Sequence, residues 1–405
     1  MRRTVHVIGG GPAGMAAAFF AARAGASVQL FERNEKLGKK LYITGKGRCN
    51  VTNAAENPFS HIPRNPRFLH SAFAFLNAEN LRALLLSLGC PTIVERGGRV
   101  FPESQKASDV TRAFERALRE LNVQISYQSR IVDIGPMLKI GPVVLATGGA
   151  SYPSTGSTGD GYQIAAAAGH TVLPPKPSLI PLETMEDWPK ALAGVSLKNV
   201  ALSARLGKKI RFQELGEMLF THFGLSGPLV LSMSCQIVDD DLSKLSIRID
   251  MKPGLSHEQL ERRLLREIES GAKKQVRTLV AKLVPQAMAE IIASLCGIDA
   301  DKLAGQITRE ERMRLVAGLK GLPITPLRFR PLEEAIVTRG GIDVREVDPG
   351  TMMSRRMPGL FFAGEVLDVD ARTGGFNLQI AFSTGTLAGA GAAGWSGKTY
   401  QERCF

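Results

Sequence analysis

Paired cysteines are the first thing missing. The five present, Cys49, Cys90, Cys235, Cys296 and Cys404, are odd in number and scattered over 405 residues without metal-site spacing. A disulfide framework and a zinc site are excluded, no metal is expected, and a reducing cytoplasm suits the chain. Long apolar runs are missing as well. The stretch behind Arg2 and Arg3 is broken by Gly9, Gly10, Gly11, Pro12 and Gly14 and has no cleavage pattern, so it is not a targeting signal. Leu378 to Trp395 is uncharged but mostly Gly, Ala, Ser and Thr, which predicts a tightly packed helix rather than a bilayer span, and no membrane partner. Repeats and low-complexity segments are absent, and 44% hydrophobic with 22% charged residues excludes collagen-like, coiled-coil and disordered chains. Acidic side chains fall short. Against 51 Lys+Arg there are 38 Asp+Glu, net +13, which favours anionic partners. Residues 1–50 (net +7) and 251–330 (net +6) hold the whole excess.

What is present opens as strand, glycine turn, helix, strand. Val5 to Ile8 is a β-branched run, Met15 to Ala24 an alanine-rich helix and Val28 to Glu32 a second strand, one βαβ unit. Asn80 to Leu88 and Asp109 to Leu121 have helical spacing, and Val123 to Tyr127 and Val143 to Ala146 read as buried strands. Between Tyr127 and Val143 there is room for one or two short strands. From about residue 190 the texture changes: Leu197 to Leu206, Lys209 to Phe212 and Leu245 to Ile249 alternate apolar and polar residues, as antiparallel strands do. Ser256 with Gln259 and Thr308 with Glu311 are capping-box patterns. Gly359 to Gly364 returns to a buried strand and Asn377 to Ala390 to a helix. The expected organisation is a nucleotide-binding domain built from both ends (1–190 and 351–405). A β-barrel (191–252, returning at 326–350) and a helical subdomain (253–325) interrupt it.

Gly9, Gly11 and Gly14, with Pro12 and Ala13 between them, fit a dinucleotide fingerprint. The first glycine allows the tight turn, the second the approach of a diphosphate and the third helix-on-strand packing. Glu32 ends the next strand, where an acid bonds the adenosine ribose, and Arg33 follows it. One fingerprint does not separate NAD from FAD. Ala146, Thr147, Gly148, Gly149 and Phe362, Ala363, Gly364, Glu365 resemble second and third contact segments of FAD enzymes, and three segments together favour FAD. Lys36, Lys39, Lys40, Lys46 and Arg48 interleave with Gly38, Gly45 and Gly47, so backbone can approach a ligand closely. Lys40 and Arg48 are assigned to the cofactor or an acidic substrate. Gly374, Gly375, Phe376, Asn377 and Leu378 open the last helix, whose positive end would face an anionic reduced flavin.

Gly38 to Asn53, Gly156 to Tyr162 (GSTGDGY), Thr221 to Pro228 (THFGLSGP), Thr338 to Gly341 (TRGG) and Phe362 to Gly385 together resemble the BaiN/RdsA (YhiN-type) family of FAD-dependent oxidoreductases, in order along essentially the whole chain. The resemblance implies an α/β fold: a two-dinucleotide-type FAD-binding Rossmann domain with an inserted β-barrel and a helical subdomain. It also carries cofactor contact to Thr44, Gly45, Asp368 and Gly375. The implied activity is reduction of a conjugated carbon–carbon double bond, with NAD(P)H as transient reductant and hydride leaving flavin N5 for a small-molecule enone or a uridine in ribosomal RNA. No second GxGxxG unit is evident for the nicotinamide. A flavin amine oxidase, or a non-catalytic RNA-associated protein that keeps FAD, are the alternatives.

The reaction needs a proton donor. Cys49 would serve if its cationic neighbours tune the thiol toward neutrality; otherwise it is a small buried filler. His222 is the other candidate acid. For an RNA partner the sequence offers Arg262, Arg263, Arg266, Lys273, Lys274, Arg277 and Lys282, then Arg309, Arg312 and Arg314. Glu258, Glu261, Glu267 and Glu269 interleave and can pair with them locally.

Overall fold

A computed structural model describes residues 4–394; Arg2, Arg3, Trp395 and Cys404, named above, lie outside the described residues. The chain forms two compact units. One runs to Ser178 and resumes at Pro331; the other is Leu179–Arg330.

The first unit begins with β1 (Thr4–Ile8), the helix Pro12–Arg23 and β2 (Ser27–Phe31). The two strands pair in parallel, Val5 opposite Val28. A small antiparallel sheet follows, made of β3 (Thr52–Asn53), β4 (Thr92–Val94) and β5 (Arg99–Pro102) in the order β3-β5-β4. β6 (Gln124–Ser126) and β7 (Val143–Leu145) return to the parallel sheet, and β8 (Val172–Ser178) closes this half. The stretch between Tyr127 and Val143, with room for one or two short strands, holds none among the described residues. A single helical turn, Gly135–Leu138, replaces them: Pro136 cannot donate to a strand ladder but suits the first turn of a helix.

The second unit is one seven-stranded sheet. Its members are β9 (Leu182–Thr184), β10 (Ser196–Leu206), β11 (Lys209–Thr221), β12 (Gly224–Ser226), β13 (Leu245–Asp250), β14 (Leu322–Ile324) and β15 (Pro326–Phe329), in the order β14-β13-β10-β11-β12-β9-β15. The two edge strands are consecutive in sequence, with only Thr325 between them. The sheet must therefore curl until its edges meet, which makes it a barrel. Between β13 and β14 the chain leaves for the helices His257–Ser270, Val276–Val280, Ala289–Leu295 and Arg309–Gly321. Both capping boxes form, Ser256 with Gln259 and Thr308 with Glu311. Leu260, Leu264 and Leu315 share one buried cluster with Leu202, Ile247 and Ile249, so helices and barrel have a common core.

The first unit resumes with β16 (Val337–Ile342) and β17 (Leu360–Phe362). β16 pairs with β8, not with the barrel, and β17 completes the parallel sheet in the order β17-β7-β1-β2-β6. Because β9 belongs to the barrel and β16 to the first unit, the divisions fall at 178/179 and 330/331, ahead of the expected 190 and 350. Val143–Leu145 and Leu360–Phe362 are buried throughout, as strands covered on both faces must be.

The last helix, Phe376–Gly394, is almost wholly buried, and no described helix is long and apolar enough to cross a membrane. Its glycines set how near it comes to the first helix. A Cβ on Gly385 would stand 2.2 Å from the Ala13 carbonyl oxygen, and one on Gly389 2.1 Å from that of Ala17. Gly389→Ala therefore has to push two backbones apart, and a loss of about 1–3 kcal/mol is expected in chemical denaturation. Gly254→Ala, at a position with open space around it, should leave the midpoint nearly unchanged.

Candidate active site

Three segments far apart in sequence converge on the start of the first helix. Gly9 has φ +100°, and a Cβ there would lie 2.4 Å from the Ala146 oxygen. A Cβ on Gly14 would lie 1.7 Å from the Gly9 oxygen, and one on Gly364 2.8 Å from Ala13 Cβ. Gly11 behaves differently: an added Cβ meets no atom within 4 Å. It caps the helix without any side-chain hydrogen bond, Pro12 has no N–H, and the first turn holds no acidic residue. An uncapped helix N-terminus facing open space suits an anionic group. Glu32 is buried at the back of the turn, accepting from Gly10 N at 2.7 Å through Oε2 and from Asn34 N and Nδ2, each at 2.7 Å, through Oε1. Arg33 points away from the turn, its Nη1 bonding Thr158 Oγ1 at 2.5 Å and Asp160 Oδ2 at 3.0 Å.

Glu365 gathers the next layer. Its Oε1 accepts from Thr338 N (2.8 Å), Lys40 Nζ (3.1 Å) and Ser151 Oγ (3.2 Å), and its Oε2 from Lys40 at 2.9 Å. Lys40 also donates to Ser151 Oγ at 2.8 Å, and Ala150 N bonds Thr338 Oγ1 at 2.9 Å. The basic loop, Ser151 just past the Ala146–Gly149 segment, and β16 are thus fastened to the carboxylate that ends the Phe362–Glu365 segment. Thr147 Oγ1 is buried with no hydrogen-bond partner, and Gly148 has φ +75°.

Other residues assigned from the sequence are engaged by protein. Arg48 bonds Glu95 and Gln105, with its guanidinium 4.0 Å over the Phe101 ring. Thr44 Oγ1 donates to the Leu41 oxygen at 2.7 Å, and Gly45, Lys46 and Gly47 turn through three positive φ values. Cys49 is fully buried, and burial pushes its thiol up to about 12. The expected tuning toward neutrality is thereby corrected: desolvation dominates, a hydrogen bond with Thr44 opposes it only in part, and Arg48 is turned to Glu95. Asp368 takes Gly340 N at 3.1 Å, Arg64 Nε at 2.9 Å and Asn65 Nδ2 at 3.1 Å. Asn377 bonds the Ala371 N at 2.9 Å and its O at 2.7 Å, steadying the turn ahead of the last helix. Leu378 is half-buried beside it. Gly375 has φ +104°, and a Cβ there would lie 2.3 Å from the Thr52 oxygen.

Residue types taken one at a time do not single out Ser151, Thr338, Arg339 or Asp370. Arg339 and Asp370 form a buried two-point ion pair, both contacts at 3.0 Å, and Ser178 Oγ donates to the same carboxylate at 2.5 Å. The TRGG and FAGEVLDVDARTGG motifs contain Thr338, Arg339 and Asp370, so the sequence carries their signal without their roles.

His222 lies in the other unit, exposed at the tip between β11 and β12. Of the ten helical cations, four are engaged internally. Arg277 pairs with Asp301, Lys282 with Glu267 and Arg312 with Glu261, while Arg314 Nε donates to the Cys296 carbonyl at 2.8 Å.

Comparison with known proteins adds the lineage. The model of the HI0933-like protein Rossmann domain matches residues 3–391. The chain belongs to this family. Within the curated members, a 3-dehydro-bile acid delta(4,6)-reductase of Clostridium scindens is 30% identical over 405 residues, 96% of this chain and 98% of that protein. A ribosomal RNA dihydrouridine synthase of Haemophilus influenzae is 30% identical over 93% of this chain and 95% of its own. Among solved structures, a 3-ketosteroid delta1-dehydrogenase of Sterolibacterium denitrificans aligns with a TM-score of 0.48 at 13% identity, over 96% of this chain and 99% of that one. This HI0933-like chain is an oxidoreductase of a flavoprotein family with an FAD-binding Rossmann-type domain.

The residues fit FAD on an observation of the turn itself: Gly11 is the glycine among Gly9 to Gly14 whose missing Cβ leaves free space. Gly11→Val is expected to keep the melting temperature within a few degrees yet lose most bound FAD, read from the visible spectrum after desalting; full flavin content would contradict this. For Cys49, a folded value of about 12 against about 8.5 for a free thiol means the neutral form stabilises the fold below that lower value. The contribution fades as pH rises above it. Iodoacetamide at pH 8 should leave the Cys49 peptide unlabelled until the protein is denatured.

Proposed function

We propose that the chain is an FAD-dependent reductase that uses NAD(P)H to saturate a carbon–carbon double bond conjugated to a carbonyl. The observation that carries this reading is near-full-length identity of 30% to two relatives whose names describe the same bond chemistry on unlike molecules. A delta(4,6)-reductase of a 3-dehydro compound and the maker of dihydrouridine both add hydrogen across a bond in conjugation with a carbonyl. A bound FAD, held by the glycine turn and the strand ends around it, would supply the hydride chemistry between a nicotinamide and the electron-poor carbon.

The chain's own residues bind the cofactor and hold charge. Gly9, Gly11 and Gly14, with the N–H groups of Ala13 and Gly14, would hold the diphosphate; Glu32 would reach the ribose; Ala146–Gly148 and Gly364 would line the cofactor. Lys40, kept in place by Glu365 and Ser151, puts a fixed cation in this layer, where charge developing on reduction is stabilised. Of the two candidate acids, Cys49 is fully buried with its thiol held neutral, and His222 is exposed in the other unit. A uridine of ribosomal RNA and a small enone are the two substrates in view, and Arg262, Arg263, Arg266, Lys273, Lys274 and Arg309, none of them in a salt bridge among the described residues, favour the anionic one.

The flavin itself reports the reaction, whichever substrate is the natural one. Under anaerobic conditions NADPH or NADH should bleach it within seconds. Unmodified ribosomal RNA or a steroid dienone should then restore the colour in stoichiometric amount. Peroxide formed from small amines would instead mean an oxidase, and a flavin inert to every donor would mean a binding protein.

A further inference from the structure

His170 is a buried titratable group that the cofactor residues do not use. Its side chain is fully enclosed in the first unit, just past the helix Asp160–Ala167, and three separated stretches meet on it. Nε2 lies 2.7 Å from Ser354 Oγ, Nδ1 stands 3.1 Å from Glu346 Oε2, and the Phe362 ring meets the imidazole edge to face, 4.7 Å away at 79°. Serine, imidazole and carboxylate in this order form the relay of a nucleophilic serine. Ser354 is 3% exposed, however, and no substrate reaches it. The array acts on the fold instead.

Lone pairs fix its protonation. Ser354 Oγ accepts from Met357 N at 2.7 Å and from Arg356 N at 3.0 Å, which fills both of its acceptor positions. Its own proton therefore goes to His170 Nε2, and the ring proton stays on Nδ1, facing Glu346. A second ring proton would aim Nε2–H at an oxygen with nothing left to accept it. Two charges face the ring. Glu346, on the turn Val344–Glu346, favours the extra proton, and Arg356, on the turn ahead of β17, opposes it. Thr171, next in the chain, and Phe362 of β17 carry no charge. Burial outweighs Glu346 and holds the ring below the ordinary histidine range.

We propose that His170 is an acid-sensitive latch on the cofactor: when it takes a second proton, Ser354 must release the Arg356 or Met357 N–H, and the strand that carries the Phe362–Glu365 segment loses its seat. The turn is built into that strand. Ser354 N donates to Leu360 O at 2.7 Å, Leu360 N to Met357 O at 3.2 Å and Phe362 N to Met352 O at 3.0 Å. Gly364, two residues past Phe362, has no room for a Cβ beside Ala13, so a shift of the strand end is felt at the glycine turn. Because the folded ring holds a proton more weakly than a free one, the stability that neutral His170 supplies is complete above about pH 6.5. It is lost as the pH falls below that value. The latch rests on FAD binding by the family and not on the reductase reading.

Stepwise acidification of the FAD-loaded protein, without substrate, tests it. Wild type should release most of its FAD into the filtrate on ultrafiltration below about pH 6.5, before the far-ultraviolet circular dichroism changes. Hydrogen exchange, corrected for its own pH dependence, should rise there in peptides of residues 344–362 and not in the barrel strands; this readout needs no variant to fold. His170→Gln, which keeps an acceptor for Ser354 and cannot titrate, should hold FAD to the pH of global unfolding. Glu346→Gln, which removes the charge favouring the extra proton, should move release to lower pH by about one unit. FAD kept by wild type until the whole protein unfolds, unchanged exchange in residues 344–362, or release from folded His170→Gln at the wild-type pH overturns the latch. A flavin that nicotinamides cannot bleach would sink the reductase reading and leave this release curve as it stands.

Discussion

One carboxylate has to be satisfied, and the cofactor-binding unit is arranged around it. Glu365 sits largely out of water, where an ionised group without donors is costly. Its donors are Lys40, Ser151 and the Thr338 backbone, 325, 214 and 27 positions away. Those residues stand on the basic loop, behind β7 and on β16. Seating the carboxylate therefore fixes where each of these segments passes the first helix. The buried Arg339–Asp370 pair works alongside it, tying β16 to the turn that opens the last helix. Removing either member would leave a charge with no solvent to receive it.

The parts of this arrangement that are readable from sequence are those whose causes are local. A β-branched run before a glycine turn marks β1 and the first helix, and a Ser or Thr three residues before Gln or Glu locates two helix starts to the residue. Glycines at Gly9, Gly14 and Gly364 are legible because their backbone demands are steric. The partners of charged side chains are not. Arg48 faces Glu95 and Gln105, 47 and 57 residues on, and nothing in its own neighbourhood announces that. Cys49 reads as a thiol among cations, but burial decides its chemistry and burial is a property of the folded unit. The short stretch before Val143 is settled locally, by a proline that suits a helical turn.

Charge shows the same division. The excess along residues 251–330 is real, yet Arg277, Lys282 and Arg312 face acids and Arg314 a carbonyl. Summed charge along a helix overstates the field that its surface presents, because i,i+4 neighbours and packed helices neutralise one another. Those in no salt bridge among the described residues lie on the helix His257–Ser270 and on the loop that follows it, with Arg309 at the start of the last helix of the insertion.

Ser178, the last residue before the insertion, pairs with Val337 soon after it, so the strands that flank the insertion run side by side about 5 Å apart. To that unit the barrel with its helices is nothing more than a long hairpin loop. Closing a loop grows dearer only logarithmically with its length, and no strand of the parallel sheet has to shift register when the loop changes. The insertion is thus a cassette: it can be lengthened, trimmed or exchanged while the strands of the cofactor cradle keep their pairing.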